Sequence, residues 1–522
     1  MIESHVKLNN ESTAAIEYKL HASSSLFTAG HQLKKVAIPL LAFMFWQSSL
    51  SKTIIFSALG VLVAVILGIV QARSFRYSIA NGELLVRAGV WNRSVKHIPF
   101  SRIQSINQRR GFFHRLLRVT ELRLDSASGG KHEALMKVLS LDAAARLEEL
   151  LRGAVSVNIA QSNGDQSSAT GEVPGRKILL ILDLRELIRH GLISNQSLVV
   201  LAAGFGFLSK NREHLQKFSF LNDLIAPFRD RSIQDYALHH LLLASVLLLL
   251  FLLVVVLCLR IFSIGFAIFK YYGFKLELQD EGLHAEYGLL NKIRCGARVP
   301  RLQRLVLVQS CLHRRFGRCR LAVDVAGGDV KDKADAETRL RELAPIATPE
   351  QAYTVLRACI PNFDLLQLSW QSLHPKAAMR HFRRSMMWVL RLSLVAIGLD
   401  RLMNWLLPAP ILFALITLVC FALWIYANAW ARFSAYAEHA DCLVYRTGVM
   451  TQKWVIVMPA RLQSVSLLET ALDRRTGMQR LRADTQGGSC KGYALDIPYL
   501  SLAEAQRLRE LIWGRITQVN QS

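Results

Sequence analysis

The chain has 522 residues, too many for one hydrophobic core, since single cores rarely grow beyond about 250–300 residues. Apolar residues make up 52% of it and gather in a few weakly charged blocks, which argues against a soluble enzyme with its core spread over many short elements. A net charge of +25, from 64 Lys and Arg against 39 Asp and Glu, calls for an anionic neighbour, and the apolar blocks favour lipid over nucleic acid.

Residues 1–35 read as a cytoplasmic tail with no evident cleavable signal. Two apolar blocks follow, 36–50 and 53–70, separated by Ser51 and Lys52, and are expected to form a membrane hairpin over 36–71. A helix needs about 20 apolar residues to cross the hydrocarbon core, so the first block must borrow from its flanks. Residues 72–152 then read as a β-rich domain: alternating segments flank Asn81-Gly82, a hairpin signal, and 140–150 form a capped closing helix. Residues 153–180 are a polar, small-residue linker.

The next unit, 181–269, opens with an amphipathic stretch and holds a short candidate span at 192–208. It ends in the strongest apolar run of the chain, 240–269, interrupted only by Arg260. A second β-rich domain occupies 270–345, and a connector covers 346–384, where Thr348-Pro349-Glu350 can start a helix. A third membrane pair covers 385–428, carrying Arg391 in its first member, with Asp400 and Arg401 where that member leaves the membrane. A third β-rich domain at 429–514 and a tail at 515–522 complete the chain. Lys34, Lys35, Arg73, Arg76, Lys270, Lys275, Arg380, Arg383, Arg384 and Arg432 flank the blocks on the side of the β-rich regions, whereas Lys52 is the basic residue of the first tight turn. The positive-inside rule therefore places both termini and all three domains in the cytoplasm. The 210–238 stretch, charged in both signs, would lie outside.

The three β-rich regions are copies of one another. Segments 89–125, 288–324 and 448–484 overlay without a gap. Gly89, Arg102, Gln104, Arg115, Leu122, Asp125 and Gly129 coincide with Gly288, Arg301, Gln303, Arg314, Leu321, Asp324 and Gly328, and with Gly448, Arg461, Gln463, Arg474, Leu481, Asp484 and Gly488. Closing helices are expected at 140–150, 333–343 and 501–511, and small sheets with open edges are expected to curl and close.

These features resemble the bacterial PH-like membrane protein family, the YdbT-like proteins with repeated DUF304 (bPH2) domains. The resemblance rests on paired apolar helices followed by Gly89-Val90 with Arg102-Ile103-Gln104, Gly288-Leu289 with Arg301-Leu302-Gln303, and Gly448-Val449 with Arg461-Leu462-Gln463. It implies a PH-like fold in each copy. The expected fold class is thus about six transmembrane helices in α-helical hairpins, combined with three α+β PH-like domains, each a bent β-barrel closed by a C-terminal helix. The family brings no established catalytic residues.

Candidate lipid or partner contacts are Arg102, Arg109, Arg110, Arg115, Arg301, Arg314, Arg461 and Arg474, because a guanidinium fork suits phosphate and carboxylate. The structural reading, which repetition within the copies favours, is that they maintain the fold by pairing with the recurring Asp125, Asp324 or Asp484 or by binding a loop carbonyl. Trp91, Phe112 and Phe113 can insert beside the basic run, or pack in a core. Arg260 and Arg391 are candidates for a role at membrane depth, against snorkelling to the interface. His114 and His313 coincide but meet Asp473 in the third copy, and no recurring nucleophile accompanies them. Hydrolase, zinc-protease and nucleotide-loop motifs are missing, and the eight cysteines form no CxxC pair, so no enzyme, metal or cofactor is expected. The sequence favours a non-enzymatic scaffold or adaptor in the bacterial cytoplasmic (inner) membrane, multi-pass, with anionic lipid, a membrane protein or a second copy as partner, and no nucleic acid. The alternative is a component assisting transport or export.

Overall fold

The computed structural model describes residues 17–19, 21, 23–30, 32–33, 50–80, 82–89, 93–100, 103–126, 134–150, 176–194, 241–279, 282–326, 339–361, 363–403, 409–439, 442–485 and 494–521. The first copy runs β1 (Glu17–Lys19), α1 (residues 24–30), α2 (Leu50–Arg73), β2 (Arg76–Ala80), β3 (Glu83–Ala88), β4 (Ser94–Pro99), β5 (Ile103–Arg110), α3 (Phe112–Leu116), β6 (Val119–Ser126), β7 (Ala134–Ser140) and α4 (residues 141–150). The second runs β8 (Lys177–Ile181), α5 (Leu184–Ile193), α6 (Leu241–Tyr271), β9 (Lys275–Gln279), β10 (Gly282–Tyr287), β11 (Lys292–Arg298), β12 (Leu302–Ser310), α7 (Cys311–Arg315), β13 (Cys319–Val325), β14 (Glu342–Ala347) and α8 (Pro349–Cys359). The third runs β15 (Gln371–Ser372), α9 (Ala377–Met403), α10 (Ala409–Phe433), β16 (Ala435–His439), β17 (Cys442–Thr447), β18 (Thr451–Val457), β19 (Leu462–Leu468), α11 (Ala471–Thr476), β20 (Met478–Thr485), β21 (Leu495–Ser501) and α12 (Leu502–Gln521).

The expected closed barrels do not form. The strands make open sheets, two of which are shared between neighbouring copies. Their orders are β1-β2-β3-β4, then β7-β6-β5-β11-β10-β9-β8, then β14-β13-β12-β18-β17-β16-β15, and last β19-β20-β21. The edge that a lone domain would satisfy by curling is satisfied here by the next copy. Lys292 stands opposite Arg110 at the first junction, and Gln452 opposite Gln309 at the second; these are the same pair in repeat numbering. The cores follow the sheets: Ala437, Cys442, Val444 and Ile456 of the third copy are buried in one cluster with Leu305, Leu321, Leu343 and Val355 of the second.

The expectation of about six transmembrane helices is also corrected. Among the described residues, two helical stretches are long and apolar enough to cross a membrane, Leu249–Tyr271 and Ile416–Phe433; Ser57–Arg73 is apolar but shorter. Helix α9 is not one of them, and its sequence carries six charged residues, Arg380, Arg383, Arg384, Arg391, Asp400 and Arg401. The expected spans at 36–50 and 192–208, and the 210–238 stretch, lie almost wholly outside the described residues.

The middle closing helix is likewise misplaced by the sequence reading. Glu342 and Leu343 belong to β14, and the helix that follows it is α8. Thr348 caps it through a reciprocal box with Gln351, and Pro349 supplies a preset first turn. Of the 333–343 stretch, residues 339–343 are not helical and 333–338 lie outside the described residues.

One turn shows local strain. After the short helix, Gly317 and Gly477 adopt φ of 59° and 69°, while the first copy places Arg118 there at 53°. A side chain in this region costs about 1–2 kcal/mol, partly offset by the lower unfolded-state entropy relative to glycine. Arg118→Gly is therefore expected to stabilise the first copy by about 0.5–1 kcal/mol. Slower amide exchange across β5 and β6 would register it; unchanged or faster exchange would contradict it.

Candidate functional site at the junctions between copies

The recurring glycines build the turn that joins one copy to the next. Gly89, Gly288 and Gly448 have φ of 112°, 113° and 105°. A Cβ at Gly288 would lie 2.0 Å from the Asn291 carbonyl oxygen, and one at Gly448 would lie 2.0 Å from that of Thr451. Only glycine fits. The turn is tied to the end of α6, since Gly288 N donates to Tyr272 O at 2.9 Å and Leu289 N to Phe269 O at 3.2 Å.

The carbonyl after this glycine receives a recurring arginine from the preceding copy. Arg115 Nη1 donates to Leu289 O at 2.9 Å, and Arg314 Nη2 to Val449 O at 3.0 Å. The two bonds are equivalent in repeat numbering, so this arginine acts as a staple between copies. Arg474 is the third version; it is exposed and lies 3.7 Å from Glu469.

Arg301 and Arg461 end short 3-10 turns, Val299–Arg301 and Pro459–Arg461. Arg461 crosses the second junction, donating through Nη1 to Val299 O at 3.1 Å and also to Leu302 O. Burial lowers its guanidinium below the usual value, with the nearby Cys359 opposing. Beside it the buried Gln303 accepts from Thr485 Oγ1 at 2.8 Å, while Gln463 is exposed. Asp324 accepts from Arg304 Nε at 2.6 Å. Arg102, the remaining member of the set, and Trp91 lie outside the described residues.

Arg109 and Arg110 are half-buried on β5, opposite Ile293 and Lys292. Arg110, Lys292 and Arg294 line a cavity of ≈ 190 Å³ with Gln108, Glu286 and Ile293. Carboxylates partly neutralise it, Glu286 lying 2.6 Å from Lys292 and Glu148 3.7 Å from Arg294.

The short helices sit beside the staples and carry uncovered apolar side chains. Phe112, Phe113 and Leu116 are 55%, 65% and 71% exposed, which excludes the core reading of the two phenylalanines. Leu312, Phe316 and Leu472 are also exposed in the later copies. Each short helix, or the turn after it, docks on the helix leading into its own copy. His114 packs against Phe27 with ring centroids 4.0 Å apart, Arg318 donates to Glu186 at 2.8 and 2.9 Å, and Arg380 donates to Asp473 at 2.6 Å. The coinciding His114, His313 and Asp473 are thus structural neighbours of those leading helices. Burial lowers the His313 imidazole to about 4, and its Nδ1 lies 2.8 Å from Ser310 Oγ.

Arg260 is occupied. Its Nη1 donates to Leu192 O at 2.8 Å and Ser194 O at 3.4 Å, capping α5 where the helix leaves its last carbonyls open. Gly191 permits this approach, since a Cβ there would lie 2.4 Å from Ile264 Cα. Arg391 is exposed on α9, its guanidinium 5.2 Å from the Trp388 ring centre.

A polar cluster escaped the sequence reading. Lys270 Nζ donates to Tyr271 Oη at 2.7 Å, that hydroxyl donates to Glu342, and Arg320 pairs with the same carboxylate. His190 lies against Tyr271 with ring centroids 5.2 Å apart, and burial lowers it to about 4. The four elements involved are far apart in sequence, and nothing in their spacing announces the contact. Among the described residues no three of His, Cys, Asp and Glu converge as metal ligands.

Comparison with known proteins agrees with the repeat. The family described as "Bacterial PH domain" matches residues 33–155, 234–356 and 389–515. The UPF0699 transmembrane protein YdbT of Bacillus subtilis (strain 168) is 24% identical over 346 residues, 64% of this chain and 66% of that protein. The alignment thus spans slightly less than two thirds of the relative. No solved structure matches.

Proposed function

Because the chain belongs to the bacterial PH domain family, with that domain repeated along its length, we propose that it is a non-enzymatic scaffold at the cytoplasmic face of the inner membrane. Its apolar helices anchor it, its short helices touch anionic lipid, and its shared sheets present one continuous surface to protein partners. Two helices of crossing length and a relative named as a transmembrane protein support membrane association.

The observation that carries the reading is α3. It exposes Phe112, Phe113 and Leu116 next to Arg115 and Arg118, and the Arg115 staple holds it at the end of α6. Aromatic and basic side chains together suit the headgroup layer, where each cation contributes about 1 kcal/mol on an anionic surface. The transport alternative draws on Arg260, Arg391 and Asp400 near the apolar segments. With Arg260 bonded to the end of α5, the scaffold reading is the better supported.

An environment-sensitive fluorophore at Phe113→Cys tests it, in full-length protein with Cys258 and Cys311 replaced by serine, in nanodiscs with and without phosphatidylglycerol. Emission should shift to the blue in the anionic discs and return when salt is raised. Water-like emission in both discs would overturn lipid contact by α3.

A further inference from the structure

The two junctions follow one rule, and among the described residues each half of a third junction lies at an outer strand. β5 pairs with β11, and β12 pairs with β18, in the same register of the repeat. By that rule β19, the counterpart of β5 and β12, should pair with the counterpart of β11 and β18 in a following copy. Within this chain that counterpart is β4. β4 is the outer strand of the first sheet and β19 the outer strand of the last, and neither carries a partner on its outer side among the described residues.

We propose that β19 of one molecule pairs with β4 of a second copy of this chain, extending the shared-sheet arrangement from molecule to molecule. Carrying the observed register over sets Ser464 opposite Ile98, Val465 opposite His97, Ser466 opposite Lys96, Leu467 opposite Val95, Leu468 opposite Ser94 and Glu469 opposite Arg93. The pairs are compatible. No like charges meet, Glu469 faces Arg93, and the apolar Val95 (53% exposed) faces Leu467.

Two further features fit the same joint. Arg474, the third staple, is exposed in the position from which Arg115 and Arg314 reach into the following copy. Gly89 holds the φ of 112° that the receiving turn uses at Gly288 and Gly448. An open strand edge templates further pairing, and natural proteins seldom leave one unblocked without a use. The contact is heterologous, so it generates a row or a ring, and anchoring helices would keep either in the membrane plane. This inference rests on the junction geometry and not on lipid contact by α3, so either can fail alone.

Mixed cross-linking tests it. Full-length protein carrying Ser94→Cys and full-length protein carrying Leu468→Cys, each with Cys258 and Cys311 replaced by serine, are co-reconstituted in liposomes and oxidised. Val308→Cys with Lys453→Cys, the same register pair inside one chain, serves as the positive control. The proposal expects a band at twice the monomer mass that appears only in the mixture and is lost on reduction, and a ladder from the double variant Ser94→Cys/Leu468→Cys. No dimer from the mixture while the control links would overturn it. So would a double variant that links only within itself, since the chain would then close its own ring.

Discussion

Gly448→Ala is expected to destabilise the joint between the second and third copies by about 3–4 kcal/mol, near the upper end of single-residue effects. Two costs combine. The backbone stands at φ 105°, where an L side chain is strained, and the new Cβ would meet the Thr451 carbonyl oxygen at 2.0 Å. That oxygen belongs to the backbone, so no rotamer change relieves the clash. Relief requires moving the turn, and the turn carries the Val449 carbonyl that Arg314 holds. β18 follows at once and would shift against β12. Gly477→Ala is the fitting control: its φ is 69°, and the nearest atom to an added Cβ is Leu502 Cδ1 at 3.9 Å, so about 1–2 kcal/mol is expected. Amide exchange read strand by strand separates the outcomes. Gly448→Ala should deprotect β12 and β18 well beyond β20; equal effects of the two variants would refute the argument.

The sequence made the repeat visible, and with it the residues of the junctions. Gly288 and Gly448 recur because a Cβ cannot be accommodated, and Arg115 and Arg314 recur because each must reach a carbonyl of the next copy. Their fold-maintaining reading includes binding a loop carbonyl as well as an aspartate, and the structure shows the carbonyl, supplied by the next copy. What could not be read was which strand stands beside which. Alternation in β5 or β12 says that one face is buried; it is the same whether the neighbouring strand comes from its own copy or the next one. Hence closed barrels were expected where shared open sheets form.

Charge pattern misled twice. The 333–343 stretch imitates the closing helices in composition, but the physical start signal lies later, in the Thr348–Gln351 capping box with Pro349. The block around Met386–Ile397 is apolar locally, yet the helix it belongs to carries six charged residues and is not among the stretches that qualify to cross a membrane. His190, Tyr271 and Glu342 show the limit of pattern reading, since a cluster drawn from an amphipathic helix, the end of an apolar helix and a strand has no motif to betray it.

Arg380→Ala is expected to cost the third copy about 3–5 kcal/mol, because it strips a buried carboxylate of its cation. Arg380 Nε donates to Asp473 at 2.6 Å, its Nη2 donates to Thr470 Oγ1 at 3.0 Å, and both members of the ion pair are buried. Asp473 also caps α11 in a reciprocal box with Thr470, so the pair locks that helix onto the start of α9. Burial works to raise the Asp473 carboxyl, but hydrogen bonds from Thr470 and Arg380 outweigh it and hold it below the usual range. A carboxyl depressed in the folded state contributes stability that is complete above its unfolded value, about 4, and is lost as pH falls through the folded value. In Arg380→Ala the carboxyl keeps its Thr470 hydrogen bonds but loses its cation, so it is depressed less and contributes less stability. The penalty of the substitution is therefore smallest in acid and grows as pH rises through the carboxyl range. Replacing both partners with apolar residues, Arg380→Met with Asp473→Leu, should recover most of the loss apart from about 1 kcal/mol for the missing cap. Thermal midpoints of the full-length protein in detergent at pH 4 and pH 7 read all three effects. An Arg380→Ala midpoint that falls equally at both pH values, with no recovery in the double variant, would mean that the pair does not hold α11 in place.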